Sequence, residues 1–374
     1  MSLRVLLQGK RICVCAGAGG VGKTTVSAAL AAGMATEGLR VAVVTIDPAR
    51  RLATSLGIPE LGNAERRVEP ERLAAAGLGG DGELWAMTLD AKRTFDELIE
   101  RRAPDARTRD AVLSNRIYQE LSAAVAGSQE YMAMEKIYEL HEDGRYDLLV
   151  LDTPPSRNAL DFLDAPERLA RFIDSRSLQF FLAPGRRGLR LMGRGTGLLF
   201  GALKRVTGVD LLQDLSEFFQ SFGQMAEGFS ERATRVRELL TAASTRFLLV
   251  TSPRSESIEE AEFFRRRLAE DGMPFGGAVV NRMHRLATAD GNARGEILTG
   301  DPEQELERLV GERLAGRVAR NFHDHQRLAR HDHESVERLR GRLGAEEPLV
   351  LIPELDDDVH DLRGLARINE HLFS

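Results

Sequence analysis

Short, continuously apolar runs recur along the chain and are separated by longer amphipathic segments. Seven of these runs predict β-strands: RICVCAG, VAVVTI, LWAMTL, DLLVL, RFLLVT, GGAVV and PLVLI. Strands that are apolar on both faces are typical of parallel sheets covered by helices on each side. The pattern therefore predicts an α/β fold, with a mostly parallel sheet flanked by helices.

A glycine-rich loop, CAGAGGVGKTT at residues 15–25, lies between the first predicted strand and a predicted helix. In that helix Val26, Leu30 and Met34 are four residues apart and share one face. The backbone N–H groups and the dipole at a helix N-terminus favour a bound anion. The loop is therefore predicted to bind phosphate.

Two phosphate-binding patterns fit this loop. Gly17, Gly19 and Gly22 match the dinucleotide fingerprint G-x-G-x-x-G, and the stretch from Gly17 to Thr24 matches the P-loop G-x-x-x-x-G-K-[ST]. A triphosphate loop needs an ammonium group for the β- and γ-phosphates and a hydroxyl for Mg²⁺, which Lys23 and Thr24 supply. We therefore predict a P-loop that binds a nucleoside triphosphate.

Two acidic residues follow other predicted strands. Asp47 comes after VAVVTI, where it would serve either as a nucleotide-switch residue or as the ribose-binding acid of a dinucleotide site. Asp152 ends the strand DLLVL and would hold Mg²⁺ through water, although an aspartate at this place is also a common helix cap. Because parallel strands end at one edge of a sheet, Lys23, Asp47 and Asp152 are predicted to lie together.

Two long stretches without predicted strands, at about 92–145 and 158–244, have helical patterns. We predict that they form a helical subdomain inserted at the ligand-binding edge of the sheet. The nucleotide-binding domain would then consist of residues 1–91 with the P-loop and switch I, 146–157 with the switch II strand, and 245–374.

The composition limits which binding partners and which cellular compartment we expect for this protein. A net charge of −6 does not favour binding to nucleic acid. The two cysteines, Cys13 and Cys15, alternate on a predicted strand and are expected to be core side chains. Because neither a signal-peptide core nor a run of about 18 apolar residues is present, we expect a cytoplasmic protein, at most peripheral at the inner face of the membrane.

Five segments, in this order, resemble the arsenical-pump and tail-anchored-protein-targeting ATPases: GAGGVGKTT, TIDPARRLATSLG, GSQEYMAMEKIYEL, DTPPSRNALDFLDAP and VVNRMH. The resemblance covers almost the whole chain, which looks most similar to the bacterial members called anion-transporting ATPases. That family belongs to the deviant Walker A class of P-loop proteins. The resemblance implies ATP and Mg²⁺ as ligands and a dimer as the working unit.

The resemblance also implies roles for the residues of the phosphate-binding loop. Lys23 would contact the β- and γ-phosphates, Thr24 would bind Mg²⁺, and Thr25 would touch the α-phosphate. The loop that would surround the phosphates consists of Gly17, Ala18, Gly19, Gly20, Val21, Gly22, Lys23, Thr24 and Thr25.

Residues outside the loop receive implied roles as well. Asp47 would position the attacking water, and Asp152 would begin switch II and hold Mg²⁺ through water. Asn281 would bind adenine, and Pro353 would belong to the loop that closes over the base.

The chain departs from the family pattern at Ala18, where a signature lysine normally reaches the nucleotide of the other protomer. Two dimers remain open: a homodimer in which Arg50, Arg51 or Arg157 supplies the missing charge, or a heterodimer with a lysine-bearing paralogue. We favour the paralogue, because a guanidinium group on a moving switch is harder to preposition than a P-loop lysine.

A second departure is the absence of C-x-x-C, which holds a shared zinc in the targeting homodimers, and of the extra cysteines that bind arsenite in the pump. Zinc needs such thiolates. We therefore expect neither structural zinc nor an arsenite site.

These features together predict a Mg²⁺-dependent ATPase that couples its nucleotide state to a helical subdomain. One alternative is a nucleotide-gated, partition-type ATPase with little turnover of its own, and another is a P-loop kinase or ligase acting on a small molecule. The segment 176–205 has seven basic and no acidic residues, interleaved with apolar runs. It is either a covered part of the subdomain or a surface for a hydrophobic client helix or a membrane.

Overall fold

The computed structural model describes residues 3–47, 50–116, 118–119, 128–153, 228, 231–286, 311–344 and 347–374. The segment 176–205 and Arg157, both named in the sequence predictions, lie outside the described residues. The described residues fall into two compact units, one within Met1–Met87, Arg145–Ala159 and Ala243–Ser374, and the other within Thr88–Gly144 and Leu160–Ala242.

Eight strands form one sheet: β1 (Ile12–Ala16), β2 (Arg40–Thr45), β3 (Arg66–Arg67), β4 (Glu83–Thr88), β5 (Leu148–Asp152), β6 (Thr245–Thr251), β7 (Phe275–Met283) and β8 (Leu349–Pro353). Their order is β3-β4-β2-β5-β1-β6-β7-β8. The pairs β2–β5, β5–β1, β1–β6, β6–β7 and β7–β8 are parallel, and the edge pair β3–β4 is antiparallel.

All seven predicted strands are present, and the mostly parallel sheet confirms the predicted fold class. The sequence prediction missed β3, because its two arginines are exposed and carry no apolar pattern.

Ten labelled helices accompany the sheet in the described chain: α1 (Leu3–Leu7), α2 (Lys23–Thr36), α3 (Arg51–Ser55), α4 (Pro70–Ala75), α5 (Ala91–Arg102), α6 (Ala106–Leu113), α7 (Ser128–Asp143), α8 (Ser255–Glu270), α9 (Glu312–Arg340) and α10 (Leu362–Leu372). Among the described residues, no helix combines the length and apolarity needed to cross a membrane.

Helix α2, which follows the glycine-rich loop, lies in the core of the first unit. It is buried on almost every side, because it packs on the sheet and against α10. The Asn369 side chain of α10 donates a hydrogen bond of 2.9 Å to the Ala29 carbonyl of α2. The small alanine side chains of α2 let these elements approach closely. The glycine-rich loop therefore leads into a helix that is firmly packed in the core.

The strand register brings the ends of three central strands level. Asp152, the last residue of β5, is the register partner of Cys15 in β1 and of Thr45 in β2. The glycine-rich loop, the segment containing Asp47 and the start of the predicted switch II therefore leave the sheet at the same edge.

In the second unit, α5 packs on α7, and Arg101 forms an ion pair of 2.7 Å with Glu139. Glu135 of α7 is almost fully buried and pairs with Arg232 in the helical run 231–241. Burial raises the pKa of Glu135, and the neighbouring Arg232 opposes this shift. A buried carboxylate depends on such a partner, so this pair ties α7 to residues about 100 positions away.

Candidate functional site

A cavity of about 780 Å³ opens at the edge of the sheet where the central strands end. The predicted site residues that line it are Gly20, Gly22, Lys23, Thr24, Thr25, Asp47, Asn281 and Pro353. Asp152 lies directly behind Thr24, as the contacts below show. The structure therefore brings the predicted phosphate, switch and base residues to one place.

Lys23 is the first residue of α2 and is 6% exposed. Its ammonium group donates hydrogen bonds to the carbonyls of Gly17 and Ala18, at 2.9 and 2.7 Å. Burial lowers the pKa of Lys23, and the carboxylates of Asp152 and Asp47 oppose this shift. The loop thus wraps around its own lysine, which leaves one ammonium hydrogen and a positive charge for an anion in the cavity.

The backbone of the loop requires glycine at two positions. Gly17 has φ 151° and lies so close to β6 that an added Cβ would be 1.9 Å from the Val250 carbonyl oxygen. Gly22 has φ 91°, and a Cβ there would be 2.3 Å from Asn281 Nδ2. Both features match the close packing that a phosphate-binding loop needs. Ala18, in contrast, packs its side chain partly against the core.

Asp152 is the centre of a buried hydrogen-bond network. Its Oδ2 accepts hydrogen bonds from the hydroxyl groups of Thr24 and Thr45, at 2.7 and 2.8 Å. Thr45 Oγ1 also accepts the backbone N–H of Asp47 at 3.2 Å. Thr45, which the sequence analysis missed, therefore connects the segment of Asp47 to Asp152. Its only sequence signal was its place two residues before Asp47 at a strand end.

The electrostatics of Asp152 fit a cation site. Asp152 Oδ1 is buried and has no hydrogen-bond partner among the described residues. Burial raises the pKa of Asp152 to about 6, although the bonds from Thr24 and Thr45 and the charge of Lys23 oppose this shift. An orphaned carboxylate oxygen beside a threonine hydroxyl is a donor set that suits hydrated Mg²⁺. The residues present therefore fit this ion.

Asp47 lies at the wall of the cavity, close to Arg51. Arg50 and Arg51 also line the cavity. Arg51 Nη1 lies 3.9 Å from Asp47 Oδ2, and the Arg51 side chain is largely exposed. Arg51 is thus near the predicted water-positioning carboxylate, and Arg50 shares the same cavity wall.

The other end of the cavity is formed by the ends of β7 and β8. Asn281 Nδ2 donates to the Val21 carbonyl at 2.9 Å, and the Arg282 backbone N–H donates to Asn281 Oδ1 at 3.0 Å. This places the Asn281 amide directly against the P-loop. Arg282, Glu354 and Leu355 also line this end, and the sequence analysis did not single them out.

A parallel sheet, a glycine-rich loop leading into a buried helix, and a lysine, a threonine and two aspartates at one strand edge define a P-loop nucleoside triphosphatase. The chain belongs to the anion-transporting ATPase family, whose model matches residues 10–294. This membership confirms the resemblance recognised in the sequence, and with it an ATPase that binds nucleotide.

Individual relatives agree with this family. The chain is similar to an “ATPase ASNA1 homolog” of Cryptosporidium parvum, at 26% identity over 78% of the chain and 70% of the relative. It is also similar to an “ATPase get3” of Aspergillus terreus, at 26% identity over 71% of each. A “Putative arsenical pump-driving ATPase” of Halobacterium salinarum is 30% identical over 46% of the chain, which spans only 26% of that relative's length.

Proposed function

We propose that this protein is a Mg²⁺-dependent ATPase that couples ATP binding and hydrolysis to a conformational change of its helical subdomain. The observation that carries the proposal is that Lys23, Thr24 and Asp47 line one cavity, with Asp152 directly behind Thr24. Asp47 and Asp152 are far from the Lys23–Thr24 pair along the chain, and the ends of the parallel strands bring them to the same edge of the sheet. The names of the relatives, which include a pump-driving ATPase and other ATPases, support the ATPase part of the proposal.

Each residue has a physical task in hydrolysis. Lys23 and the N-terminus of α2 hold the negative phosphates. Mg²⁺, when bound, would neutralise charge on the β- and γ-phosphates. Thr24 offers a hydroxyl to the ion, and Asp152 holds that hydroxyl in place. Asp47 accepts a hydrogen bond from a water and orients it for in-line attack, so that catalysis depends mainly on position and charge.

The test separates binding from chemistry. We expect Lys23→Ala to weaken ATP binding, because it removes the ammonium group from the ground-state phosphates. Asp47→Asn should bind ATP as the wild type does but hydrolyse it about 10²-fold more slowly or worse. Calorimetry measures the first effect and phosphate release the second. Equal hydrolysis by wild type and Asp47→Asn would remove Asp47 from the mechanism.

The working unit is proposed to be a dimer, either a homodimer or a heterodimer with a lysine-bearing paralogue. Ala18 carries no charge, so two copies of this chain need another cation for the transition state. Arg50 and Arg51 line the cavity and, with Arg157, are the arginines that could supply this charge. We favour the paralogue, because a guanidinium group on a moving switch is harder to preposition than a P-loop lysine. Strong hydrolysis by the chain alone that collapses in Arg50→Ala or Arg51→Ala would refute the paralogue.

We further propose that the protein holds no structural zinc, does not respond to arsenite and acts in the cytoplasm. In support, both cysteines of the chain, Cys13 and Cys15, are fully buried in β1. A hydrogen bond between the two thiols and burial raise the pKa of Cys13 well above its ordinary value. Elemental analysis that finds about half a zinc per chain would contradict this.

The client surface at 176–205 stays a prediction from the sequence. We expect its hydrogen exchange to differ between the ATP-bound and ADP-bound protein, because it belongs to the subdomain that the nucleotide is proposed to move. Identical exchange in both states would contradict this proposal.

A further inference from the structure

His284 follows β7 and makes an unusual set of contacts close to the cavity. Its ring Nδ1 lies 2.7 Å from Asp332 Oδ2 of α9, and its ring Nε2 lies 3.2 Å from Glu354 Oε2, which follows β8. Its backbone N–H also donates to Asp332 Oδ2 at 3.0 Å. Both ring nitrogens of one imidazole therefore face carboxylates from two different elements.

The backbone just before His284 forms a β-bulge that contains an uncommon left-handed residue. The β7–β8 pairing shifts register between Val280 and Met283. Arg282 lies in this bulge with φ 64°, a left-handed conformation that is uncommon for a residue other than glycine. The backbone N–H of Glu354 donates to the Met283 carbonyl at 2.9 Å. The contacts of His284 thus hold the C-terminal side of the bulge that presents Asn281.

Glu354 connects this bridge to the nucleotide cavity. Glu354 and Leu355 line that cavity and also a second cavity of about 370 Å³ beside His284. The titratable and charged groups around His284 come from four places: Asp332 and His325 of α9, Glu354 and Asp356 after β8, Arg367 of α10, and the adjacent Arg285. Within the described parts of the chain, no group of three or more histidine, cysteine or acidic residues is placed to hold a metal ion.

The protonation state of the His284 ring decides whether it can donate hydrogen bonds to one or to both carboxylates. A neutral imidazole has one N–H donor and one acceptor, whereas the imidazolium form donates from both nitrogens. Only the charged ring can therefore donate to Asp332 and Glu354 together. Asp332 is 8% exposed and Glu354 is 53% exposed. When the ring loses a proton, the buried and shorter bond to Asp332 is the one to keep, and the exposed Glu354 is released.

We propose that His284 is a positioning residue for the nucleobase end of the cavity, whose protonated ring holds Glu354 and the loop after β8 in place against the nucleotide. Nucleotide affinity then falls as the pH rises and the ring becomes neutral. This inference rests on the proposed nucleotide site, with the base between Asn281 and Pro353.

The test compares ADP affinity by calorimetry at about pH 6 and about pH 8. The variants are His284→Gln, whose amide has a donor nitrogen, an acceptor oxygen and no charge at either pH value, and Glu354→Gln, which removes the charge of the exposed carboxylate. His333→Gln is the matched control, since His333 is an exposed histidine of α9, the helix that carries Asp332. Phosphate ionisation of ADP affects every protein equally and cancels in the ratio to the wild type.

We expect the wild type to lose about two- to fivefold more affinity than His284→Gln between the two pH values, the range of an ion pair with one exposed partner. Glu354→Gln should lose the same pH dependence, and His333→Gln should keep it. If binding needs Lys23 but the ratio of wild type to His284→Gln is equal at both pH values, the role of His284 is refuted. If Lys23→Ala binds ADP as tightly as the wild type does, the proposed nucleotide site itself is refuted.

Discussion

The carboxylate of Asp152 is placed where Mg²⁺ would need it, but its burial should make the folded protein less stable when the carboxylate is charged. Burial raises its pKa from an ordinary value near 3.8 to about 6. Between those two values the folded protein binds more protons than the unfolded chain. Stability therefore decreases as the pH rises through this window, and the decrease levels off above about pH 7.

The size of the effect follows from the shift. About two pKa units correspond to ~3 kcal/mol, of which ~1.4 kcal/mol develops between about pH 5 and pH 8. Asp152→Asn has nearly the same shape but no charge, and its side-chain oxygen can still accept from Thr24 and Thr45. Its new N–H group has no obvious partner, which costs about 1–3 kcal/mol, but this cost does not change with pH.

The assay is urea unfolding of wild type and Asp152→Asn without nucleotide at these two pH values. We expect the stability of the variant, relative to the wild type, to improve by ~1.4 kcal/mol at the higher pH. Other titrating groups are shared by the two proteins and cancel. Addition of ATP and Mg²⁺ should then stabilise the wild type far more than the variant. A stability difference that is the same at both pH values would refute the assigned electrostatics of Asp152.

Three further predictions concern other parts of the structure. Thr45→Val keeps the shape of the side chain but removes the hydroxyl that donates to Asp152. The free energy of unfolding above pH 7, measured in urea, should therefore fall by about 1 kcal/mol, and the rate of ATP hydrolysis should decrease by a larger factor than the affinity for ATP. Arg232→Met should destabilise the protein by about 3 kcal/mol, because it leaves Glu135 buried without a partner, and adding Glu135→Gln should recover much of the loss in the same assay. Ala18→Lys restores the signature lysine, so the variant alone should release phosphate at least about tenfold faster if a paralogue normally supplies it. An unchanged rate would instead favour an arginine already in the chain.

Local patterns in the sequence were sufficient for the strands, the P-loop and its lysine. Apolar runs identify strands because both faces of a parallel sheet are covered, and glycines before Lys23 identify a phosphate loop because only they allow its backbone. The expectation that Asp47 and Asp152 lie near Lys23 was also correct, since parallel strands direct their ends to one edge. The domain boundaries and the client surface at 176–205 remain predictions.

The partners of these residues, in contrast, were decided only by the tertiary structure. Thr45 meets Asp152 from 107 positions away, and His284 meets Asp332 from 48 positions away. Neither pairing has a local signal, because the register of neighbouring strands and the course of α9 determine which side chains meet. The sequence alone determined which chemistry the edge of the sheet carries. The packing of distant elements determined how that chemistry is held in place, because contacts between remote residues form only when the whole sheet is assembled.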